Sequence, residues 1–242
     1  MNISLNKVSI PGAGYIELMY SMGNDITIVN AARISFWKET QELDIKDENL
    51  VKFLLDHGHN SPLRHVQFQF RVECPEFVSR QWFKHVVGIA YAANGGSLTS
   101  EFYCDTPWNE VSGRYVELTE KFWKPKQFRK QSTTNKQVGS GDLGYSENQV
   151  ALQIHESSTN ASYASYKALL NMGVCREQAR SLLPVGFITS FIMTTSLAAA
   201  LHFIKLRSHE GAQKEIADYA EAMLYLIKPI CPVVCREVLN RA

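Results

Sequence analysis

Apolar and polar residues alternate strictly along Val66-Gln67-Phe68-Gln69-Phe70-Arg71-Val72, a period of two that predicts a strand with one buried face. Upstream, Asp47 precedes Leu50, Val51, Phe53, Leu54 and Leu55, which predicts an amphipathic helix capped by Asp47 and ending near Gly58. His57 and His59 then fall at its C-terminal end, where a loop can aim them into a pocket. After Pro75 a short helix is expected from Glu76 to about Val87, with Phe77, Gln81, Lys84 and His85 sharing a side. Further helices are expected over 160–172 and 176–183, the second stopped by Pro184. Residues 185–195 are β-branched and aromatic and read as a strand. Helices over 197–207 and 211–227 follow, the latter ended by Pro229. Between these elements lie two long irregular stretches, 88–108, rich in Gly, Ala, Ser and Thr, and 124–149, which is polar. Strands mixed with helices without regular alternation predict an α+β fold, a mixed or antiparallel sheet flanked by helices, in one domain spanning 1–242.

Composition narrows the function classes. A formal net charge of +1 on 242 residues gives no electrostatic reason to bind nucleic acid. The longest apolar candidate, residues 187–201, is interrupted by Thr and Ser and does not predict a membrane span. The N-terminus has no signal-peptide pattern. Five dispersed cysteines, an odd number, fit a reducing compartment such as the cytoplasm. Cys231 and Cys235 are one helical turn apart and read as small apolar helix residues. The seven histidines form no metal-ligand pattern.

The densest chemistry lies in Asn109-Glu110-Val111-Ser112-Gly113-Arg114-Tyr115, which packs an acid, a hydroxyl, a guanidinium and a phenol around a glycine. Arg80-Gln81-Trp82-Phe83-Lys84-His85 is a second polar group set among aromatics. Together they predict a pocket for a small anionic, hydrogen-bonding ligand. Ser112 has no His and Asp at recognisable spacing to activate it, so a hydrogen-bonding role is preferred to a nucleophilic one. Cys104 is the cysteine nearest this run, and a nucleophilic role for it is the lesser reading.

Here a resemblance becomes specific. Asn109–Tyr115 is similar to the N-E-x-S-x-R-Y half of the signature of flavin-dependent thymidylate synthases. Ala32-Arg33-Ile34-Ser35-Phe36, His57-Gly58-His59-Asn60-Ser61-Pro62 with His65, Ala179-Arg180 with Leu183-Pro184, Leu206-Arg207, and Ala212-Gln213 with Glu215 resemble further family motifs in the right order. Arg129 and Asn135-Lys136-Gln137 also look like family features. The resemblance covers roughly residues 10–235.

It implies an enzyme that methylates C5 of dUMP with methylene-tetrahydrofolate, using FAD reduced by NADPH, as a homotetramer whose sites are built by several subunits. It implies that dUMP meets Gln81, Trp82, Phe83, Lys84, Glu110, Val111, Ser112, Gly113, Arg114, Arg180 and Arg207. Arg114 and Arg180 are the implied phosphate ligands, because a planar fork gives bidentate bonds to phosphate oxygens. Arg207 is the implied catalytic residue, holding the uracil ring and stabilising negative charge when N3 is ionised. FAD is implied to meet His59, Ser61, Lys84, His85, Val86, Glu110, Ser196, Ala198 and His202; Ser35 and His65 would help shape the site.

The sequence departs from the pattern on the flavin side. Lys84 and Val86 stand for two arginines, Ser196, Ala198 and His202 replace Asn, Arg and Asn, and residues 88–108 lengthen the signature's spacer. Each lost charge-assisted bond is worth roughly 1.5–3 kcal/mol. Two alternatives therefore stay open: a flavin-independent, folate-dependent pyrimidine hydroxymethylase, and a non-catalytic dUMP-binding homologue. The insert is expected to lie at the mouth of the site, closing over bound ligand or supplying contacts that replace the lost arginines.

Overall fold

The structure, a computed structural model, describes residues 6–85 and 107–239, together with the backbone of residues 3 and 4. Val86, Cys104 and the expected covering segment up to residue 106 lie outside the described residues.

The chain opens with strands β1 (Ile3–Ser4), β2 (Lys7–Ile10) and β3 (Gly14–Met22), followed by helices α1 (Asp25–Arg33) and α2 (Ile45–Asp56). Then come β4 (Gln67–Pro75), α3 (Glu76–Trp82), β5 (Trp108–Glu110), the hairpin of β6 (Arg129–Gln131) and β7 (Gly139–Asp142), and the long helix α4 (Tyr145–Asn171). The last elements are α5 (Arg176–Ala179), β8 (Ile188–Ser196), α6 (Leu197–Arg207), α7 (Lys214–Ile227) and α8 (Pro232–Leu239). Among the described residues the main sheet is antiparallel throughout, in the order β1-β2-β3-β4-β8-β5.

The expected alternation is realised in β4. Phe68, Phe70, Val72 and Cys74 are buried, while Gln67, Gln69, Arg71 and Glu73 occupy the opposite, half-covered face. The buried face packs with α6, α7 and α8 into one core that includes Val8, Ile16, Phe191, Phe203, Tyr219 and Met223. Tyr219 sits beneath the sheet, its hydroxyl within 2.9 Å of the Ala13 carbonyl and 2.8 Å of the Glu73 carbonyl. The turn from β2 to β3 needs glycine: at Gly14, φ is 127° and a Cβ would stand 2.1 Å from the Glu73 carbonyl oxygen. Asp25 ties the N-terminal helix to the C-terminal one by accepting from the backbone N–H groups of Val233 (2.8 Å) and Val234 (3.2 Å). Burial raises its pKa against the pull of those same bonds. Cys231 and Cys235 are buried in this region, and burial drives the Cys235 thiol up to about 12, which suits inert packing groups.

Several boundaries differ from expectation. The α2 cap is Asp44, not Asp47; the two form a reciprocal capping box, with Asp47 Oδ2 accepting from Asp44 N at 2.9 Å. The helix after Pro75 runs to Trp82 and continues as a turn to His85, the last described residue of this stretch; Val87, its expected end, lies outside the described residues. The helix expected over 160–172 is the C-terminal half of α4, which begins at Tyr145. Its first turns are polar on most sides, so they lack the apolar period that marks a helix. The remainder of the stretch 124–149 contains the β6–β7 hairpin, fixed by Asn148 accepting from Phe128 N at 2.8 Å. No helix among the described residues is long and apolar enough to cross a membrane.

Candidate functional site

The predicted site residues fall into two groups on opposite sides of α3. The first group gathers where α3 and α6 end and α7 begins. Arg207, in the last turn of α6, donates from Nε to His85 Nε2 at 2.8 Å. It forms no salt bridge with a described residue; Glu215, the obvious structural partner, is taken by Arg129 at 2.7 Å. His85 accepts from a cation, so its imidazole is neutral at that nitrogen. Burial, then the charge of Arg207 and the proximity of His202, hold its pKa down to about 4. Gln81, one turn before His85, donates from Nε2 to the Phe77 carbonyl at 3.3 Å and to the Gln213 side-chain carbonyl. Gln213 in turn donates to Glu215 Oε2 at 2.9 Å. A half-buried cation, a neutral imidazole and an amide thus share one wall.

The second group is built on the edge strand β5 and the turn after it. Glu110 is fixed by three donors: Thr189 Oγ1 (2.5 Å) and Ser79 Oγ (3.4 Å) on Oε1, and Trp108 Nε1 (3.1 Å) on Oε2. Val111 N donates to the Ser190 carbonyl at 2.9 Å and keeps the turn on β8. Ser112 Oγ accepts from Arg114 N (3.3 Å) and Nε (3.4 Å), which holds the Arg114 side chain back along the turn. Gly113 is required by packing: a Cβ there would lie 2.8 Å from Leu118 Cδ1 and 3.2 Å from Arg180 Cδ. That contact brings Arg180 beside the Ser112–Arg114 turn. Arg114 and Arg180 are exposed and form no salt bridge with a described residue. Glu76 completes the neighbourhood; burial and the negative charge of Glu110 raise its pKa, while Arg80 and Arg180 oppose the rise. A cleft of about 540 Å³ opens beside Arg114, walled by Gly173, Cys175 and Arg176.

Ser79 and Gln81 are two residues apart, about 200° around a helix. One faces Glu110 and the other faces Gln213. The structure therefore does not bring the two groups together on one face of α3.

Some predicted ligands lie elsewhere. The Trp82 ring, expected at the nucleotide, is 2% exposed and stacks on Phe203 with centroids 4.5 Å apart, so it belongs to the core. Phe83 is half exposed, edge-on to Trp108, and Lys84 is exposed. On the implied flavin side, Ser196 is buried and its hydroxyl caps α6 by accepting from Ala199 N at 3.2 Å. Ala198 packs against the core. These two side chains are committed to the fold rather than presented to a cofactor. His59 and Ser61 are exposed, with the His59 ring against Phe53, and His202 is half buried beside His85. His59, Ser61, Lys84, His85 and His202 offer polar and cationic groups that suit a flavin nucleotide; Ser196 and Ala198 do not add to them. No group of three or more His, Cys, Asp or Glu side chains among the described residues is arranged to hold a metal ion.

Sequence reasoning missed the supports. Ser79 and Thr189 hold Glu110 from 31 and 79 residues away. Gln213, Glu215 and Arg129 were visible only as motif matches, without a signal that they converge on Gln81.

Comparison with known proteins follows the same lines. Residues 17–233 match the family described as thymidylate synthase complementing protein. A flavin-dependent thymidylate synthase from Thermosipho africanus is 37% identical over 90% of this chain and 88% of its own length. One from Thermus thermophilus is 38% identical over 91% of this chain and 73% of its own length. Among solved structures, a UMP/dUMP methylase, PolB from Streptomyces cacaoi, bound with 5-Br dUMP, superposes with a TM-score of 0.80 at 24% identity, covering 96% of this chain and 97% of that one.

Proposed function

The chain belongs to the thymidylate synthase complementing protein family, with its α+β fold and a methyltransferase's chemistry, and from that premise we propose that it methylates C5 of the uracil in dUMP to give dTMP. The observation that carries this reading is Arg207: a half-buried guanidinium, held by a neutral acceptor and lacking a carboxylate partner among the described residues. A cation without a counter-charge is available to negative charge that develops on a bound base. Because it is already oriented, it needs no reorganisation during the reaction. Charge delivered into the uracil ring makes C5 nucleophilic without an enzyme nucleophile, and C5 then takes the one-carbon unit of methylene-tetrahydrofolate. Gln81 reads the base edge. Arg114 and Arg180, exposed beside the Ser112–Arg114 turn, bind the phosphate. His59, Ser61, Lys84, His85 and His202 would hold a flavin, which when bound and reduced by NADPH would supply the hydride chemistry that methylation needs.

Both groups act on one nucleotide if two copies of the chain contribute, each supplying one side of α3. The exposed Phe36 (71%) and Trp37 (91%), next to the Arg33–Phe36 motif, offer apolar surface for contact between copies and support a homotetramer with shared sites as the assembly we propose. At a dUMP concentration too low for Arg180→Ala protein to be occupied, mixing it with Arg207→Ala protein should restore part of the dTMP-forming activity, because some mixed sites receive both intact arginines. No recovery after verified subunit exchange would mean that each chain carries a whole site.

The capping role of Ser196 and the packed Ala198 favour one second reading, a flavin-independent hydroxymethylase that quenches the same C5 adduct with water. Mass analysis of the product decides: dTMP supports methylation, and 5-hydroxymethyl-dUMP supports the alternative.

A further inference from the structure

The amide of Gln81 has a direction, and the direction is set at the far end of the network by Arg129, 86 residues before Glu215. Arg129 can only donate and occupies one oxygen of Glu215 at 2.7 Å. The other oxygen of Glu215 can only accept from Gln213, so Gln213 must turn its NH2 toward it, at 2.9 Å. The carbonyl of Gln213 is then left facing Gln81. Gln81 must answer with its own NH2, whose second hydrogen goes to the Phe77 carbonyl at 3.3 Å. Both donors of Gln81 are spent, and its Oε1 makes no hydrogen bond to a described residue.

We propose that Arg129, Glu215 and Gln213 lock the Gln81 amide with its carbonyl as the reading group, so that the site selects a pyrimidine presenting an N–H on its base edge and rejects one presenting a bare ring nitrogen. The inference rests on the dUMP reading above. Uracil has a single base-edge donor, N3–H, flanked by two carbonyls. Cytosine has an unprotonated acceptor at N3, which would stand against the Gln81 carbonyl with no hydrogen between them. Flipping the amide to suit cytosine would oppose the Gln81 and Gln213 carbonyls and take the donor away from the Phe77 carbonyl. Gln213 and Glu215 are thus positioning residues that convert an ambivalent amide into a one-way acceptor. The bond is to the neutral base, so it acts at recognition rather than at the charged stages of the reaction.

Titration calorimetry of the full chain with dUMP and with dCMP tests this. The wild type should prefer dUMP by tenfold or more, since a missing or opposed hydrogen bond is worth about that factor. Gln213→Met keeps the length of the side chain and spares the Arg129–Glu215 pair, but removes the lock. It should lower the preference about tenfold, and should raise KM for dUMP more than it lowers kcat. Glu215→Gln should erode the preference in the same direction. General damage to the fold weakens both nucleotides alike and leaves their ratio unchanged. An unchanged ratio in folded Gln213→Met protein would overturn the lock while leaving the dUMP reading in place. A wild type that prefers dCMP, or binds neither nucleotide, would overturn the reading itself and the inference with it.

Discussion

Arg207 and Gln81 are held by side chains that have partners of their own, whereas Arg114 and Arg180 stand exposed without an ion-pair partner among the described residues. The difference matches what each group is proposed to meet. A base edge is read by the direction of single hydrogen bonds, so the reading groups must be fixed beforehand. A phosphate presents several equivalent oxygens and a double charge, and attracts a guanidinium from many approaches. Fixing the first group takes a relay through α3, α7 and the β6–β7 hairpin. The second needs only a close turn, made possible by Gly113 against Leu118 and Arg180.

The largest break in this comparison should come from Arg207→Ala. Turnover should fall by roughly two to three orders of magnitude or more, the cost of losing one preorganised charge-stabilising donor. Melting temperature should hold, because the guanidinium has no ion pair to lose among the described residues. Arg207→Lys should recover little, since a point charge does not reproduce the fork. Near-normal rates in either variant would remove Arg207 from the chemistry.

On the exposed side, Arg114→Ala and Arg180→Ala should each weaken dUMP binding by roughly 1.5–3 kcal/mol. The loss for deoxyuridine, which lacks the phosphate, should be much smaller. Equal losses for nucleotide and nucleoside would show that these arginines meet something other than phosphate.

Tyr219→Phe supplies a control beneath both groups. Its hydroxyl serves the Ala13 and Glu73 carbonyls and touches neither set of site residues through a hydrogen bond. Denaturant melts should show a loss of about 1–2 kcal/mol, with the dUMP to dCMP ratio unaltered. A changed ratio would mean that the fixed group draws its rigidity from the sheet as a whole.

The smallest effect concerns pH. The His85 pKa lies at about 4 in the folded chain, below the ordinary value of 6.5. The unfolded chain therefore takes up the proton first as pH falls. Stability from this group is fully present above pH 6.5 and is lost as pH drops through about 4. His85→Gln keeps an acceptor near the same place but cannot titrate. The wild type should lose melting temperature faster than His85→Gln between pH 6.5 and 4, modestly because the ring is only half buried. Parallel slopes would show that the imidazole is not held neutral.

Much of the architecture was legible because it is written locally. The alternation of residues 66–72 marks β4, and the span of α6 from Leu197 to Arg207 is as expected. Asp44 with Asp47 shows the limit of local reading: both suit a cap, and their mutual bonding decides which one it is. The early turns of α4 were missed because few of their residues are buried, so no apolar period announces the helix.

By itself, the sequence determined the fold class, the strand and helix faces that form the core, and the residue types available for chemistry, since these follow from side-chain polarity at fixed periods along the chain. Which of those residues stand together was decided by the tertiary structure alone. Trp82 looked like a ligand contact and became core, because the packing of α6 put Phe203 against its ring. Gln81 carries donor and acceptor alike in the sequence, and only a partner 132 residues away fixes which one is left to read a ligand. Hydrogen-bond direction is a property of pairs, and these pairs form only after the chain has closed.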